Sequence, residues 1–359
     1  MSAPVRVVHY GAHDLDYPRG RRVREHLASL PGVELATVPR SRAGSRARRA
    51  LADVRGLWRA SRGADVVVLA EFRTTHAPLV HVVAGLRRAR VVVDGFIGLH
   101  ETVVVDRGDV PARSLRARRL DLHDRLAVRA SDLYLIDTDP RADEVRRRHP
   151  RAREVAAVAV GAPSWATWQP AAPAGAGLRV LYYGGYIALH GVDLMVEALS
   201  LAAARRELQV VFVGDGPSRA RAEQRVRDLG LGQIVDFVDP VPESGLLEQL
   251  AWADVVLGVF GPSPKARSVV ANKVWQGLAC GRVVVTQRSS ALDDVAEAVG
   301  DQLVQVEPGR AGALADALVA VEPTRALAGS PGVHDRLEAL VARSYRPLSR
   351  FVLASGGRA

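Results

Sequence analysis

Short apolar, β-branched runs alternate with helix-period segments along the whole chain, and the alternation is completed twice. The first series is VRVVHY (5–10), VELATV (33–38), DVVVLA (65–70), RVVVDG (90–95), LYLID (133–137) and EVAAVAV (154–160). The second is RVLYYG (179–184), QVVFVG (209–214), IVDFVD (234–239), DVVLGVF (254–260), RVVVTQ (282–287) and QLVQVE (302–307). Strands that are apolar along their whole length need cover on both faces, which a parallel sheet flanked by helices supplies. Two series predict an α/β chain of two Rossmann-like, doubly wound domains. Its 359 residues also exceed what one core normally fills.

The boundaries follow from composition. Residues 1–161 form the first predicted domain. Residues 162–178, rich in Pro, Ala and Gly and without a period, read as an interdomain linker. Residues 179–330 form the second domain. A helical segment, 331–359, starts near SPG (330–332) and is expected to pack back on the first domain. Open parallel sheets bind ligands outside the carboxyl ends of their strands, so two such domains predict a central cleft faced by both.

Composition narrows the function classes. No apolar run reaches the ~18 residues of a membrane span. The start, MSAPVRVVHYGAHD, lacks a signal peptide's apolar stretch and cleavage site. The expectation is a cytoplasmic protein, free or peripheral at the inner membrane face. A single cysteine, Cys280, excludes an intrachain disulfide framework and a cysteine-based zinc site, and its apolar surroundings point to inert packing. Residues 1–161 hold 30 arginines against 19 acidic residues, a net +11, densest in RSRAGSRARR (40–49). An anionic membrane surface, an anionic acceptor and a plain solvated face all suit that excess. Nucleic acid is not expected, because no recognition motif accompanies the charge.

The strand-to-helix turns of the second domain carry the candidate chemistry. In YYGGYIALHGVDLMVEAL (182–199), Gly184 and Gly185 end a strand and His190 precedes a helix. Glycines let backbone N–H groups approach a phosphate, and a helix amino terminus adds positive potential. In VGDGPSRARAE (213–223), Gly214 and Gly216 flank Asp215 at another strand end. Neither GxGxxG nor GxxxxGK[ST] occurs, which removes the standard dinucleotide and P-loop readings. The third turn, GPSPKARSVVANKVWQGLACG (261–281), holds Lys265 and Lys273, the two lysines of a chain with 47 arginines. NKVWQGLACG reads as a short helix capped by Asn272, ended by Gly281, and turning Val274, Trp275 and Leu278 inward. Lys273 then lies in its first turn.

These three turns, with IVDFVDPVPESGLLEQLAWADVVLGVF and NKVWQGLACGRVVVT, resemble retaining family-four glycosyltransferases of the GT-B fold, in order and spacing from about 179 to 321. HYGAHDLDYPRGRRVREHL and ASDLYLIDT match the first domain of such enzymes more loosely. The resemblance implies a nucleotide-diphosphate sugar on the second domain, an acceptor on the first, and retention of configuration without a metal. The DTD at 137–139 lies in the first domain and reads as a turn. Two glutamates usual in the family fall on Ser268 and Gln276, and the usual diphosphate Arg and Lys fall on Gly185 and His190. Lys273 first, and Lys265 second, are the candidates to replace the missing cations. His190 is expected to carry charge beside a diphosphate and to lose it, with donor binding, as pH rises. The donor set is therefore Gly184, Gly185, His190, Gly214, Gly216, Lys265, Ser268, Lys273 and Gln276.

In the first domain, polar residues after strands supply the acceptor candidates Tyr17, Arg19, Arg21 and Glu101 and the catalytic candidates Asp94 and His100. The expected function is sugar transfer to an acceptor hydroxyl, in cell-surface glycan or glycosylated natural-product assembly. A GT-B-fold nucleotide-sugar 2-epimerase and a noncatalytic nucleotide-sugar-binding relative are the alternatives.

Overall fold

The computed structural model describes residues 3–42, 44–170, 177–322 and 331–356. It divides into two compact units, Met1–Val160 with Val341–Ala359, and Gly161–Leu340. Residues 171–176 of the expected linker and 323–330 at the expected second boundary lie outside the described residues.

The first unit is built on β1 (Val5–Ala12), β2 (Val33–Pro39), β3 (Val66–Leu69), β4 (Arg90–Asp94), β5 (Leu133–Ile136) and β6 (Val155–Ala157). They form one parallel sheet in the order β2-β1-β3-β4-β5-β6. β3 and β5 are buried at every position, as their unbroken apolar sequence requires. The chain reverses its winding between β1 and β3, which opens a crevice at their carboxyl ends.

The second unit contains β7 (Leu178–Tyr183), β8 (Leu208–Val213), β9 (Val235–Val238), β10 (Val255–Leu257), β11 (Val283–Gln287) and β12 (Leu303–Val306), in the order β12-β11-β10-β7-β8-β9. This is the doubly wound dinucleotide-fold order, with its switch point between β7 and β10. The predicted strand 254–260 shortens to β10. Beyond it, the Phe260 N–H donates to His190 O at 3.0 Å and the Gly261 N–H to Leu189 O at 3.0 Å, so the chain leaves the sheet to support the turn after β7. The predicted strand 154–160 likewise shortens to β6; the Val158 N–H still reaches Ile136 O, but that of Ala159 turns to Ser344 Oγ at 3.0 Å.

The final helix, Arg346–Leu353, buries Leu348, Phe351 and Val352 in the first unit. His26 Nε2 lies 2.8 Å from Ser349 Oγ, and the Arg90 guanidinium stands 3.6 Å from the Phe351 ring centroid. No helix among the described residues is long and apolar enough to cross a membrane. Leu348 is fully buried. We expect Leu348→Ala to cost about 2–4 kcal/mol of stability, measured by urea unfolding.

Candidate functional site

At the switch point of the second sheet, Tyr182 is the last residue but one of β7, and its hydroxyl lies 2.8 Å from His190 Nδ1. Lys273 enters from the helix Asn272–Ala279, and its Nζ stands 4.4 Å from the Tyr182 ring centroid. The ammonium is 4% exposed as a residue and has no hydrogen-bond partner. A Cβ on Gly184 would come within 3.2 Å of that Nζ and 2.8 Å of the His190 ring, and Gly184 has φ 145°. Glycine is thus required there by both backbone and space. Gly184, His190 and Lys273 form one cluster, with Tyr182 as its floor.

Burial, and secondarily Lys273, holds the His190 imidazole well below its ordinary range. Burial also draws the Lys273 ammonium down. The expectation of a cationic His190 concerns a bound diphosphate; without one, burial beside Lys273 disfavours the charged ring. Gly185 is exposed, and a side chain there would meet only Ile187 at 3.9 Å. Gly214 and Gly216 have φ 119° and 153°, and any Cβ on them would strike the carbonyls of Gly184 and Gly185. Their need for glycine comes from this backbone-on-backbone packing of two strand-end turns.

Gln276 is buried, and its Oε1 accepts the Tyr183 hydroxyl at 2.7 Å. Asn272 opens the helix as its first residue and Ala271 occupies the cap position, so the expected Asn272 cap is corrected. Gly281, with φ 78°, follows the helix end as expected. Lys265 is buried in a short turn, where its carbonyl accepts the Ser268 hydroxyl at 3.1 Å. Gln287, missed from sequence, anchors this loop: its Nε2 donates to Gly261 O at 3.1 Å and Ala266 O at 3.0 Å. Burial pushes the Cys280 thiol up to about 12, in keeping with inert packing.

In the first unit the acceptor candidates separate. Arg19 and Asp94 are 0% and 1% exposed and pair with each other, Nε to Oδ2 at 2.9 Å. Arg19 also donates to the Val158 carbonyl, and Asp94 Oδ1 accepts the Phe96 N–H at 3.1 Å. The expectations of an acceptor-facing Arg19 and a free catalytic Asp94 are corrected, because each spends its charge on the other. Tyr17 is half-buried, edge-on to Phe72 at 4.9 Å between centroids. Arg21 lies half-exposed in the helix Pro18–Ser29. Glu101 pairs with Arg141, which also holds Asp137. The DTD expected as a turn opens the helix Asp139–Arg148, with Thr138 at its cap position. The His100 N–H donates to Asp124 Oδ2 at 2.8 Å, while its buried Nδ1 has no partner. Glu101 begins a π-helical turn, Glu101–Asp106, a winding common near functional sites.

Glu71 was not anticipated, although an acid two residues after strand β3 is a usable signal. It is fully buried with both carboxylate oxygens unpartnered, packed where a Cβ on Gly20 would touch it. Burial, then the Asp94 charge, pushes it up to about 7.

Residues 177–322 match the family described as Glycosyl transferases group 1. The structure matches a sucrose-phosphate synthase from Thermosynechococcus elongatus with TM-score 0.69 and 18% identity, over 99% of this chain and 100% of the other. It matches a glycosyltransferase from Rickettsia africae with TM-score 0.68 and 11% identity, over 98% and 99%. It matches Anabaena HepE, solved in complex with UDP, with TM-score 0.65 and 12% identity, over 98% and 100%. The fold is GT-B. The resemblance to family-four glycosyltransferases read from the turns of the second domain is supported by the match over 177–322. No curated protein matches the sequence.

Two outcomes test the first unit of this GT-B chain. Asp94→Ala leaves the Arg19 guanidinium buried and unpaired and should cost about 3–5 kcal/mol in denaturant unfolding. Glu71 is protonated more readily folded than unfolded, so its contribution to stability is full below about 4.5 and is lost as pH rises through about 7. Glu71→Gln should therefore match the parent's melting temperature at pH 5 and exceed it by several degrees at pH 8.

Proposed function

We propose that this chain transfers a sugar from a nucleotide-diphosphate sugar to an acceptor hydroxyl with retention of configuration. The observation that carries the reading is the Lys273 ammonium, buried without a partner at the β7/β10 switch point, beside Gly184 and His190. Charging a buried amine with no counter-charge is costly, and a diphosphate is the anion that offsets that cost in a strand-end crevice of this fold. The match over 177–322 and the UDP complex of HepE support the same donor class.

In this reading the helix Val192–Ala203 points its amino terminus at the donor, and Lys273 supplies the cation that Gly185 and His190 lack. Neutral His190 donates or accepts a hydrogen bond through the ring nitrogen that Tyr182 leaves available. Gln276, steadied by Tyr183, offers its amide to the nucleotide ribose, and Ser268 and Lys265 line the sugar side. Catalysis then rests on positioning and on stabilising charge that develops on the leaving diphosphate, with the nucleotide sugar as co-substrate and no metal. The acceptor belongs to surface-glycan or natural-product assembly, and the protein works in the cytoplasm or at the inner membrane face.

Removing the ammonium tests this directly. Lys273→Met should weaken UDP binding about 10–100-fold in calorimetric titration, and Lys265→Ala should weaken it less. Gly185→Arg, placed in open space, should restore part of the loss. Unchanged UDP affinity in Lys273→Met would sink the donor assignment.

A further inference from the structure

The loop leaving β2, the helix Arg46–Ala60 that follows it and the loop leaving β3 line an open cavity of about 220 Å³ at the carboxyl end of the first sheet. Four guanidiniums line it, from Arg40, Arg46, Arg49 and Arg73, with a single carboxylate, Asp53, and the ring of His76. Arg40 follows β2 directly, and its backbone N–H donates to Ala12 O at the end of β1, 2.9 Å away. Arg46 opens the helix Arg46–Ala60, and Arg49 follows one turn on. Arg73 comes from the loop after β3 and passes close to Gly11, where a Cβ would stand 2.9 Å from its Cγ.

The one carboxylate is already spent. Asp53 pairs with Arg73 and accepts the Ser41 N–H at 2.8 Å. Arg73 is 8% exposed, and its Nε is buried with no hydrogen-bond partner. Among the described residues no carboxylate pairs with Arg40, Arg46 or Arg49. Burial, then the Arg73 charge, holds His76 below its ordinary range; its Nδ1 is 3.1 Å from Tyr10 Oη.

The helix dipole sharpens the point. Arginines in the opening turn of a helix stand at its positive end, and this helix has no acid there to offset them. A second arginine-lined hollow, at Arg125, Arg129 and Arg148, lies instead at the carboxyl ends of two helices. Dipoles favour cations at that end, so that hollow needs no ligand to account for it. The cavity beside β1 and β3 has the opposite polarity: cations gathered at a helix amino terminus and at a sheet switch point, three of the four without a paired carboxylate among the described residues.

We propose that this cavity binds the phosphate group of a phosphorylated acceptor. The word acceptor rests on the glycosyl-transfer reading; the anion does not. Guanidinium forks match phosphate oxygens in pairs, which makes arginine the fitting residue for such a group. The phosphate comes either from a soluble sugar phosphate or from a phospholipid headgroup. For the second source, Leu51, Val54 and Trp58 on the same helix stand exposed and apolar.

Calorimetric titration of the full chain tests the site. UDP is titrated first, and glucose 6-phosphate is then titrated into UDP-saturated protein, with glucose as the control. Vesicle pelleting compares phosphatidic acid in phosphatidylcholine with phosphatidylcholine alone. The expected result is that one phosphate probe binds, that its uncharged control does not, and that Arg40→Ala with Arg49→Ala weakens it at least tenfold at unchanged UDP affinity. The arm that depends on the two arginines identifies the source. If neither phosphate probe binds, or if binding survives in the double variant, the cavity proposal is overturned while UDP binding stands. If UDP fails to bind but the phosphate probe still requires the arginines, the donor reading fails and the anion site holds.

Discussion

The inner strands of both sheets are buried on both faces, and that constraint governs where polar chemistry can sit. A charge cannot be placed along strands as apolar as β3, β5 or β10, so it enters at a strand end. At the amino end of the second sheet the buried charges Arg179, Asp254 and Arg282 are met. Arg179 pairs with Asp254 at 2.8 Å, and Arg282 donates to the carbonyls of Cys280 and Ala253 at 3.0 and 3.1 Å. At the carboxyl end, the Lys273 ammonium has nothing to donate to. One end of the sheet is closed by its own side chains, and the other is incomplete.

The first unit repeats the contrast at a single end. Arg19 and Asp94 close on each other beneath the turn after β1, while Arg40, Arg46 and Arg49 surround a cavity whose one acid is engaged elsewhere. Glu71, buried without a hydrogen-bond partner, lowers its desolvation cost by holding its proton more tightly than an exposed carboxyl does. The net positive charge of the first half is therefore not spread evenly in its effect. Part of it is neutralised inside the fold and part is left facing a hollow.

Much of this was legible in the residues. Twelve apolar runs predicted the twelve strands, because covering both faces of a parallel sheet leaves a pattern that needs no tertiary information. Lysine usage marks Lys273 out on residue counts alone. The ends of β6 and β10 were overrun, since the apolar pattern continues after the backbone has turned to other acceptors. Arg19 and Asp94 were read as ligand-facing because they follow strands, and sequence position cannot say that two such residues, 75 apart, consume one another. Tyr182, Tyr183 and Gln287 escaped notice because a strand-end tyrosine or glutamine looks like ordinary core until its hydroxyl or amide is seen holding a functional group.

The sequence by itself determined the two α/β halves, the glycine turns and the place of the lysine-bearing helix, because apolar periodicity and backbone permissiveness are local properties. The tertiary structure decided which charges are spent and which are available. That distinction separates Asp94 from Lys273 and Arg19 from Arg49. It depends on partners brought from distant parts of the chain and on how much water burial removes, and neither is written in the order of residues around them.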